Sequence, residues 1–222
     1  MPSPQQTPPA PPVVDPVALT DLDPGEAGEL VAGADLEGRE HTAVEADRLD
    51  LRGAQVHSSR LRGLQAREAD LRNLTLTEVV MEQVDVPVVQ GIRGRWRDVE
   101  LRDARIGSAE LYESTWQSVR FVGCKLGYVN LRGATLQDVV FTDCQIDELD
   151  LVQVRATRVA FEGTAVRRLD VQASTLQHVD LRGADLSELV GTDALRGTTI
   201  TSVQLAHLAP LLAANLGITV VE

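Results

Sequence analysis

Few residues of this chain have the types and spacing that chemistry requires. Its only two cysteines, Cys124 and Cys144, are twenty residues apart. Protein metal sites combine several Cys, His or carboxylate ligands at short, characteristic spacings. The four histidines show no such spacing and are scattered along the chain: His41, His57, His178 and His207. The sequence therefore predicts no metal site and no cofactor.

Catalytic motifs are also missing from the sequence. No Gly-x-Ser-x-Gly segment marks a nucleophile, and no glycine-rich phosphate loop occurs, because the glycines recur at intervals of five. Adjacent carboxylates such as Asp147 and Glu148 are available. Acid-base work would require a cleft that desolvates them and shifts their pKa values. We therefore predict that the protein is not an enzyme.

The strongest local charge feature is a run of acidic residues without a basic one. We call these five residues the acidic girdle: Asp138, Asp143, Asp147, Glu148 and Asp150. The whole chain has a formal net charge of −12, so the girdle is a candidate site for a basic partner. The alternative is a solvated acidic ring that binds nothing.

The elements that position these residues follow from a period of five. From Leu51 to Leu186 nearly every fifth residue is apolar, and Gly91 is the exception. A second register, two residues earlier, holds small or aliphatic residues. A period of five fits neither a helix nor a strand. The chain must therefore turn a corner every five residues.

A repeat of twenty lies over the repeat of five. Phe121, Phe141 and Phe161 are twenty residues apart, as are Trp96 and Trp116. Four five-residue sides would make one coil, and like residues would then stack in ladders along its axis. We predict that both tryptophans belong to the core and that the two cysteines are buried free thiols, which fits a reducing cytosol.

Several segments carry a family resemblance. Residues 69–73 (ADLRN), 129–133 (VNLRG) and 184–188 (ADLSE) resemble the A(D/N)LXX unit of the pentapeptide-repeat family. The resemblance extends over residues 34–191. It implies an all-β fold, namely a right-handed quadrilateral β-helix. The helix would have about eight coils, stacked at the usual spacing of parallel strands. The central apolar residue and the small residue two before it would point inward.

The two ends differ from the repeat. Residues 1–20 are rich in proline and are predicted to form a disordered tail, whereas residues 21–191 form the β-helix. The tail has neither the basic nor the apolar region of a signal peptide, and no membrane span is predicted, so we expect a cytoplasmic protein.

Residues 192–222 are predicted to form a helical cap. Thr201 and Gln204 have the spacing of a capping box, and Pro210 indicates two short helices rather than one. The apolar stripe of this segment contains Leu205, Leu208, Leu211, Leu212 and Leu216. The stripe covers the open end of the solenoid, or also forms a dimer interface, as the family resemblance implies.

The family resemblance implies a function through binding. Several pentapeptide-repeat proteins imitate duplex DNA on DNA gyrase and protect it from quinolones. Roughly 38 Å of solenoid would match DNA with on the order of 22 negative charges. Residues 34–191 carry 26 acidic and 20 basic residues, with both signs on every face.

We therefore predict a non-enzymatic protein that presents a macromolecule-binding surface to a protein partner. One candidate partner is DNA gyrase or another type II topoisomerase, bound through DNA mimicry. The alternative is an interaction scaffold for an unrelated protein. The acidity argues against direct binding of nucleic acid. Only two aromatic residues are predicted to point outward, Tyr112 and Tyr128, which is too few for base stacking.

Overall fold

The chain forms a β-solenoid with a short helix at its C-terminal end. The computed structural model describes residues 8–221. All strand pairs are parallel, and they form two sheets of eleven and eight strands. Sheet 1 contains β1 (Asp23–Pro24), β2 (Asp35–Glu37), β3 (Arg39–Thr42), β5 (Gln55–Arg62), β7 (Thr75–Glu82), β9 (Arg95–Arg102), β11 (Thr115–Val122), β13 (Thr135–Thr142), β15 (Arg155–Glu162), β17 (Thr175–Asp180) and β19 (Thr198–Thr199). Sheet 2 contains β4 (Glu45–Asp50), β6 (Gln65–Asp70), β8 (Asp85–Gln90), β10 (Arg105–Glu110), β12 (Lys125–Asn130), β14 (Gln145–Asp150), β16 (Thr164–Asp170) and β18 (Ala184–Val190).

Each coil contains twenty residues, as the sequence predicted. In the coil that begins at residue 54, we number the sides 1 (54–58), 2 (59–63), 3 (64–68) and 4 (69–73), and every other coil follows the same order. Strand partners are therefore twenty residues apart, as with Phe141 and Phe161. The eight strands of sheet 2 mark eight complete coils, and β1 and β19 add a partial turn at each end. The solenoid thus has about nine turns, slightly more than predicted.

Left-handed backbone produces three of the four corners. Asn73, Glu78 and Gln83 have φ values of 59°, 55° and 54°. Residues at intervals of twenty from these positions repeat the conformation, and most of them are not glycine. L-residues enter this region at a cost unless the surrounding structure fixes them. Each such corner is held by backbone bonds to the next coil, such as Asn73 N–H to the Ile92 carbonyl at 2.9 Å.

Both inward registers form the core. Trp96 stacks on Trp116 with ring centroids 4.8 Å apart, and Phe121, Phe141 and Phe161 stack at 4.8 and 5.2 Å. These rings are buried, so the tryptophans belong to the core as predicted. Cys124 and Cys144 are likewise buried free thiols. Small residues in the second register leave room for these large ones, which gives a narrow, densely packed interior.

The N-terminal end is closed by a 3-10 helix, Ala27–Glu29. Glu29 Oε2 lies 3.1 Å from Nε2 of His41, whose ring is buried in the first coil. Gly25 lies directly on this ring, because a Cβ at Gly25 would approach His41 Nε2 to 2.5 Å. The first coil is irregular, since its sheet 1 strand is interrupted at Gly38.

The C-terminal end is closed by α1 (Ser202–Asn215). Thr201 and Gln204 form the predicted capping box, and Gln204 Nε2 also donates to the Leu181 and Ala184 carbonyls at 2.6 and 2.8 Å. The prediction of two helices was wrong, because α1 continues through Pro210. The helix tolerates the missing N–H there, at the cost of one intrahelical bond.

Residues 8–22 lie along the outside of the solenoid, and we call them the strap. Val13 N–H donates to Asp138 Oδ1 at 2.9 Å, and Arg120 Nη2 donates to the Val14 carbonyl at 2.7 Å. The prediction of a disordered tail is therefore wrong for residues 8–20, whose backbone is bonded to the solenoid. Residues 1–7 of that prediction lie outside the described residues.

Candidate functional site

The acidic girdle contains two carboxylates that are structural. Asp138 is only 5% exposed, and Arg158 donates to its two oxygens through Nε and Nη2, each at 2.6 Å. Burial raises the pKa of Asp138, but the hydrogen bonds from Arg158 and Val13 outweigh it and lower the pKa. Asp150 is buried as well and accepts from Arg132 Nε at 2.6 Å. Neither carboxylate is open to a partner.

The other three girdle residues are more accessible. Asp143 is exposed and has no ion-pair partner among the described residues. Asp147 is exposed and lies 3.7 Å from Arg167 Nε, and Glu148 lies 3.4 Å from Arg168 Nε. The sequence could not place these arginines because they belong to the following coil, twenty residues further on. The girdle is thus a row of ion pairs with one free carboxylate.

Ion pairs between neighbouring coils cover much of the remaining surface. Arg93 donates to Glu113 at 2.7 Å, across one coil. Within one coil, Arg72 donates to both oxygens of Asp70 at 2.8 and 2.7 Å. The side-chain hydrogen bond from Arg72 lowers the pKa of Asp70, although burial opposes the shift. Exposed pairs contribute little to stability, but together they neutralise the surface of the central coils.

The net charge is concentrated at the N-terminal end. Residues 1–50 contain eleven acidic residues and two arginines, a net of −9 out of the chain's −12. In the first coil Asp35, Glu37 and Glu45 are exposed and make no ion pair within the described chain. The least neutralised acidic surface is therefore the first coil rather than the girdle.

The predicted cap residues divide into two groups. Leu208 packs against the core and Leu212 is half-buried. Leu205, Leu211 and Leu216 are exposed, as are four further aliphatic residues of the same segment: Val203, Ile218, Val220 and Val221. His207 is exposed among them. The segment thus closes the solenoid with one face and presents an apolar surface with the other.

Sequence reasoning missed a groove on side 2. Val80, Val140 and Ala160 occupy positions that face outward, where other coils carry charged residues, yet all three are buried. The strap lies over this column, and Pro11, Pro12 and Val14 line depressions together with Val140 and Ala160. The available signal was the apolar type of Val80, Val140 and Ala160 at an outward position that is charged in other coils.

Part of the solenoid matches a known family of repeats. Residues 114–190 match the family described as the pentapeptide repeat region. This part of the chain carries a pentapeptide repeat. The same coil precedes the matched residues, from β4 to β10 in sheet 2.

Solved structures of QnrB1, a plasmid-mediated fluoroquinolone resistance protein, are also similar. One trypsin-treated variant is 14% identical over 90% of this chain and 96% of that chain, with a TM-score of 0.41. A second is 16% identical over 85% and 97%, with a TM-score of 0.32. Full-length QnrB1 is 13% identical over 83% and 99%, with a TM-score of 0.24. No curated protein matches the sequence.

Within residues 8–221, the side chains that could support chemistry are dispersed. No group of three or more His, Cys, Asp or Glu side chains there could hold a metal ion. The neighbouring Cys124 thiol and burial raise the pKa of Cys144, which keeps this thiol protonated. An internal void of about 60 Å³ within the core has only apolar lining, which includes Leu71, Met81 and Ile106. None of the described helices is long and apolar enough to cross a membrane.

Proposed function

We propose that this pentapeptide-repeat protein is a non-catalytic interaction scaffold that presents its surface to a protein partner. The observation that carries the proposal is the combination of a charge-balanced solenoid wall with an exposed apolar segment at one end. Exposed apolar patches on soluble proteins mark interaction sites. The ion-paired wall keeps the solenoid soluble, so that binding is confined to surfaces that are not neutralised.

The first such surface is the C-terminal segment, which we propose as a homodimer interface. Leu205 and Leu216 are 50% and 76% exposed, and Leu211 is exposed beside them. Two copies that meet end to end through this segment would bury these side chains. Burial of each leucine contributes on the order of 2 kcal/mol, which makes the segment an adequate anchor for a dimer.

Light scattering coupled to size-exclusion chromatography tests the dimer. Wild-type protein is expected to elute as a dimer, and the variant Leu211→Asp/Leu216→Asp as a monomer with unchanged circular dichroism. Val88→Asp is the matched control, because Val88 is an exposed valine on side 3, far from the cap. A wild-type monomer across the concentration range would exclude the dimer, and so would a Val88→Asp variant that dissociates equally.

A second candidate is modulation of DNA gyrase or another type II topoisomerase by DNA mimicry. The net charge of −12 favours it, as does the resemblance to gyrase-protecting pentapeptide-repeat proteins. Two acidic surfaces could contact the enzyme. They are the accessible girdle residues Asp143, Asp147 and Glu148 and the first-coil residues Asp35, Glu37 and Glu45.

A gyrase supercoiling assay, with and without a fluoroquinolone, tests this candidate. Wild-type protein is expected to inhibit supercoiling or to protect against the drug. Two neutralised variants locate the contact: Asp143→Asn/Asp147→Asn/Glu148→Gln and Asp35→Asn/Glu37→Gln/Glu45→Gln. Asp138 and Asp150 are left unchanged because they are buried in ion pairs. No effect of wild-type protein at large molar excess would remove this candidate and leave the scaffold with another partner.

A further inference from the structure

The groove on side 2 is built for an extended chain. The outward column at intervals of twenty reads Val80, Glu100, Arg120, Val140 and Ala160, and Glu100 is buried like its apolar neighbours. The strap alternates along this column, with Pro12, Val14, Val17, Leu19 and Leu22 half-buried and most residues between them exposed. Such alternation is the pattern of an extended segment with one side on a surface.

The length of the strap per coil is that of an extended backbone. Ala10 N–H lies 3.3 Å from His178 Nδ1, and Val13 N–H lies 2.9 Å from Asp138 Oδ1. Those two contacts are two coils apart, so three strap residues span about 9.6 Å at the strand spacing. This is roughly 3.2 Å per residue, which is the rise of a fully extended backbone and is close to that of a polyproline II segment, about 3.1 Å.

The groove contacts the strap mainly through backbone groups. Asp138 and His178 accept strap N–H groups, and Arg120 donates to the Val14 carbonyl. Contacts of this kind depend on the extended backbone and on small apolar side chains rather than on one particular sequence. The outer side of the strap remains open, with Val13 63% exposed. The strap is therefore held by few bonds.

We propose that the side 2 groove is a binding site for extended, proline-rich peptides, and that residues 8–20 are its built-in occupant. The partner is a protein with a solvent-exposed proline-rich segment, which displaces the strap when it binds. Polyproline II segments suit such exchange, because they have no internal hydrogen bonds to lose and are already extended in solution. The inference rests on the proposed role as a scaffold but assigns a surface other than the C-terminal segment.

A fluorescein-labelled peptide with the sequence of residues 1–20 is the probe, and fluorescence polarisation is the measurement. In the full-length wild-type protein the strap competes at an effective concentration on the order of millimolar, so binding is weak. In the full-length variant Pro12→Gly/Val14→Gly the strap loses its apolar contacts with the depression that Val140 lines. No charge is added beside Glu100, Arg102 and Arg120, and glycine gives the free strap more conformational freedom, so we expect the strap to be released. We expect the probe to bind this variant at least about tenfold more tightly.

A groove variant and a matched control complete the test. Val140→Glu, added to the strap variant, is expected to abolish binding, whereas Val88→Glu on side 3 leaves it unchanged. Circular dichroism checks the fold, and fast amide exchange at Val13 confirms that the strap is released. A released strap without probe binding would overturn the proposal, as would equal binding by wild type and strap variant. The dimer variant Leu211→Asp/Leu216→Asp should not alter probe binding. A failure of the groove proposal can therefore be distinguished from a failure of the dimer proposal.

Discussion

At the scale of single residues, the spacing between coils depends on glycines, which have no side chain. Gly107 and Gly127 occupy equivalent positions in β10 and β12, on side 3. A Cβ at Gly127 would lie 2.1 Å from the Gly107 carbonyl oxygen, much closer than any real contact. The two strands can keep their normal separation there only because residue 127 has no side chain.

Gly127→Ala should therefore destabilise the protein by about 2–3 kcal/mol, since backbone rather than a flexible side chain must move. Urea unfolding followed by circular dichroism measures the change. Gly28→Ala is the matched control, because nothing lies within 4 Å of a Cβ at that position and no change is expected. Equal stabilities for the two variants would show that the strands can separate at little cost.

Aspartates paired with arginines should make stability depend on pH in the acid range. A side-chain hydrogen bond from Arg52 lowers the pKa of Asp50 to about 2, and corresponding bonds lower the pKa values of Asp70 and Asp180. A carboxylate with a depressed folded pKa stabilises the protein above its unfolded value, near 3.9, and this contribution is lost as pH falls through the folded pKa.

Thermal melts between pH 7 and pH 2 test this linkage. The melting temperature should change little down to about pH 5 and then fall between about pH 4 and pH 2. Asp180→Asn removes one of the linked groups and should reduce that fall, whereas its effect at pH 3 should be smaller than at pH 7. A melting temperature that is constant down to pH 2.5 would contradict the assignment of these carboxylates as stabilising.

At the scale of elements, the repeat was predictable and its attachments were not. The period of five determined the inward registers, because a residue with the wrong size or polarity there would disrupt every neighbouring coil. The strap followed no such rule. Its prolines suggested disorder, and its contacts with Asp138 and Arg120 use backbone groups, which carry no hydropathy pattern. The ion pairs of the girdle were hidden for a related reason, since Arg158 and Arg132 pair with Asp138 and Asp150 across coils. The role of the girdle as a partner site stays a prediction.

Helix α1 provides a test at this scale, because Pro210 lies inside it. Pro210→Ala restores a backbone donor and removes a steric conflict, so the helix should gain up to about 3 kcal/mol. Thr201→Ala removes the N-cap and should cost about 1 kcal/mol. Amide exchange within residues 203–214 measures both effects, which should have opposite signs. Faster exchange in Pro210→Ala would contradict this expectation, because Pro210 is exposed and its ring has no packing to lose.

At the scale of the whole molecule, the solenoid has ends with different character and a uniform middle. The N-terminal end carries most of the net charge, and the C-terminal end carries the exposed apolar residues. Composition alone predicts the total charge. The distribution of unpaired charge depends on which carboxylates form ion pairs with arginines of the neighbouring coil. A partner that recognises charge and one that recognises apolar surface would therefore bind at opposite ends.

This architecture predicts a gradient of local stability along the axis. Each coil contacts only its neighbours, so central coils are held on two sides and terminal coils on one. Amide exchange should be slowest in the central strands, including Val119 and Val139, and faster in β4 and β18. The strap variant Pro12→Gly/Val14→Gly should accelerate exchange at Val13 and leave the core strands unchanged. Uniform protection from β4 to β18 would instead mean that the solenoid unfolds as one cooperative unit, with the 3-10 helix and α1 holding its ends as firmly as a neighbouring coil does.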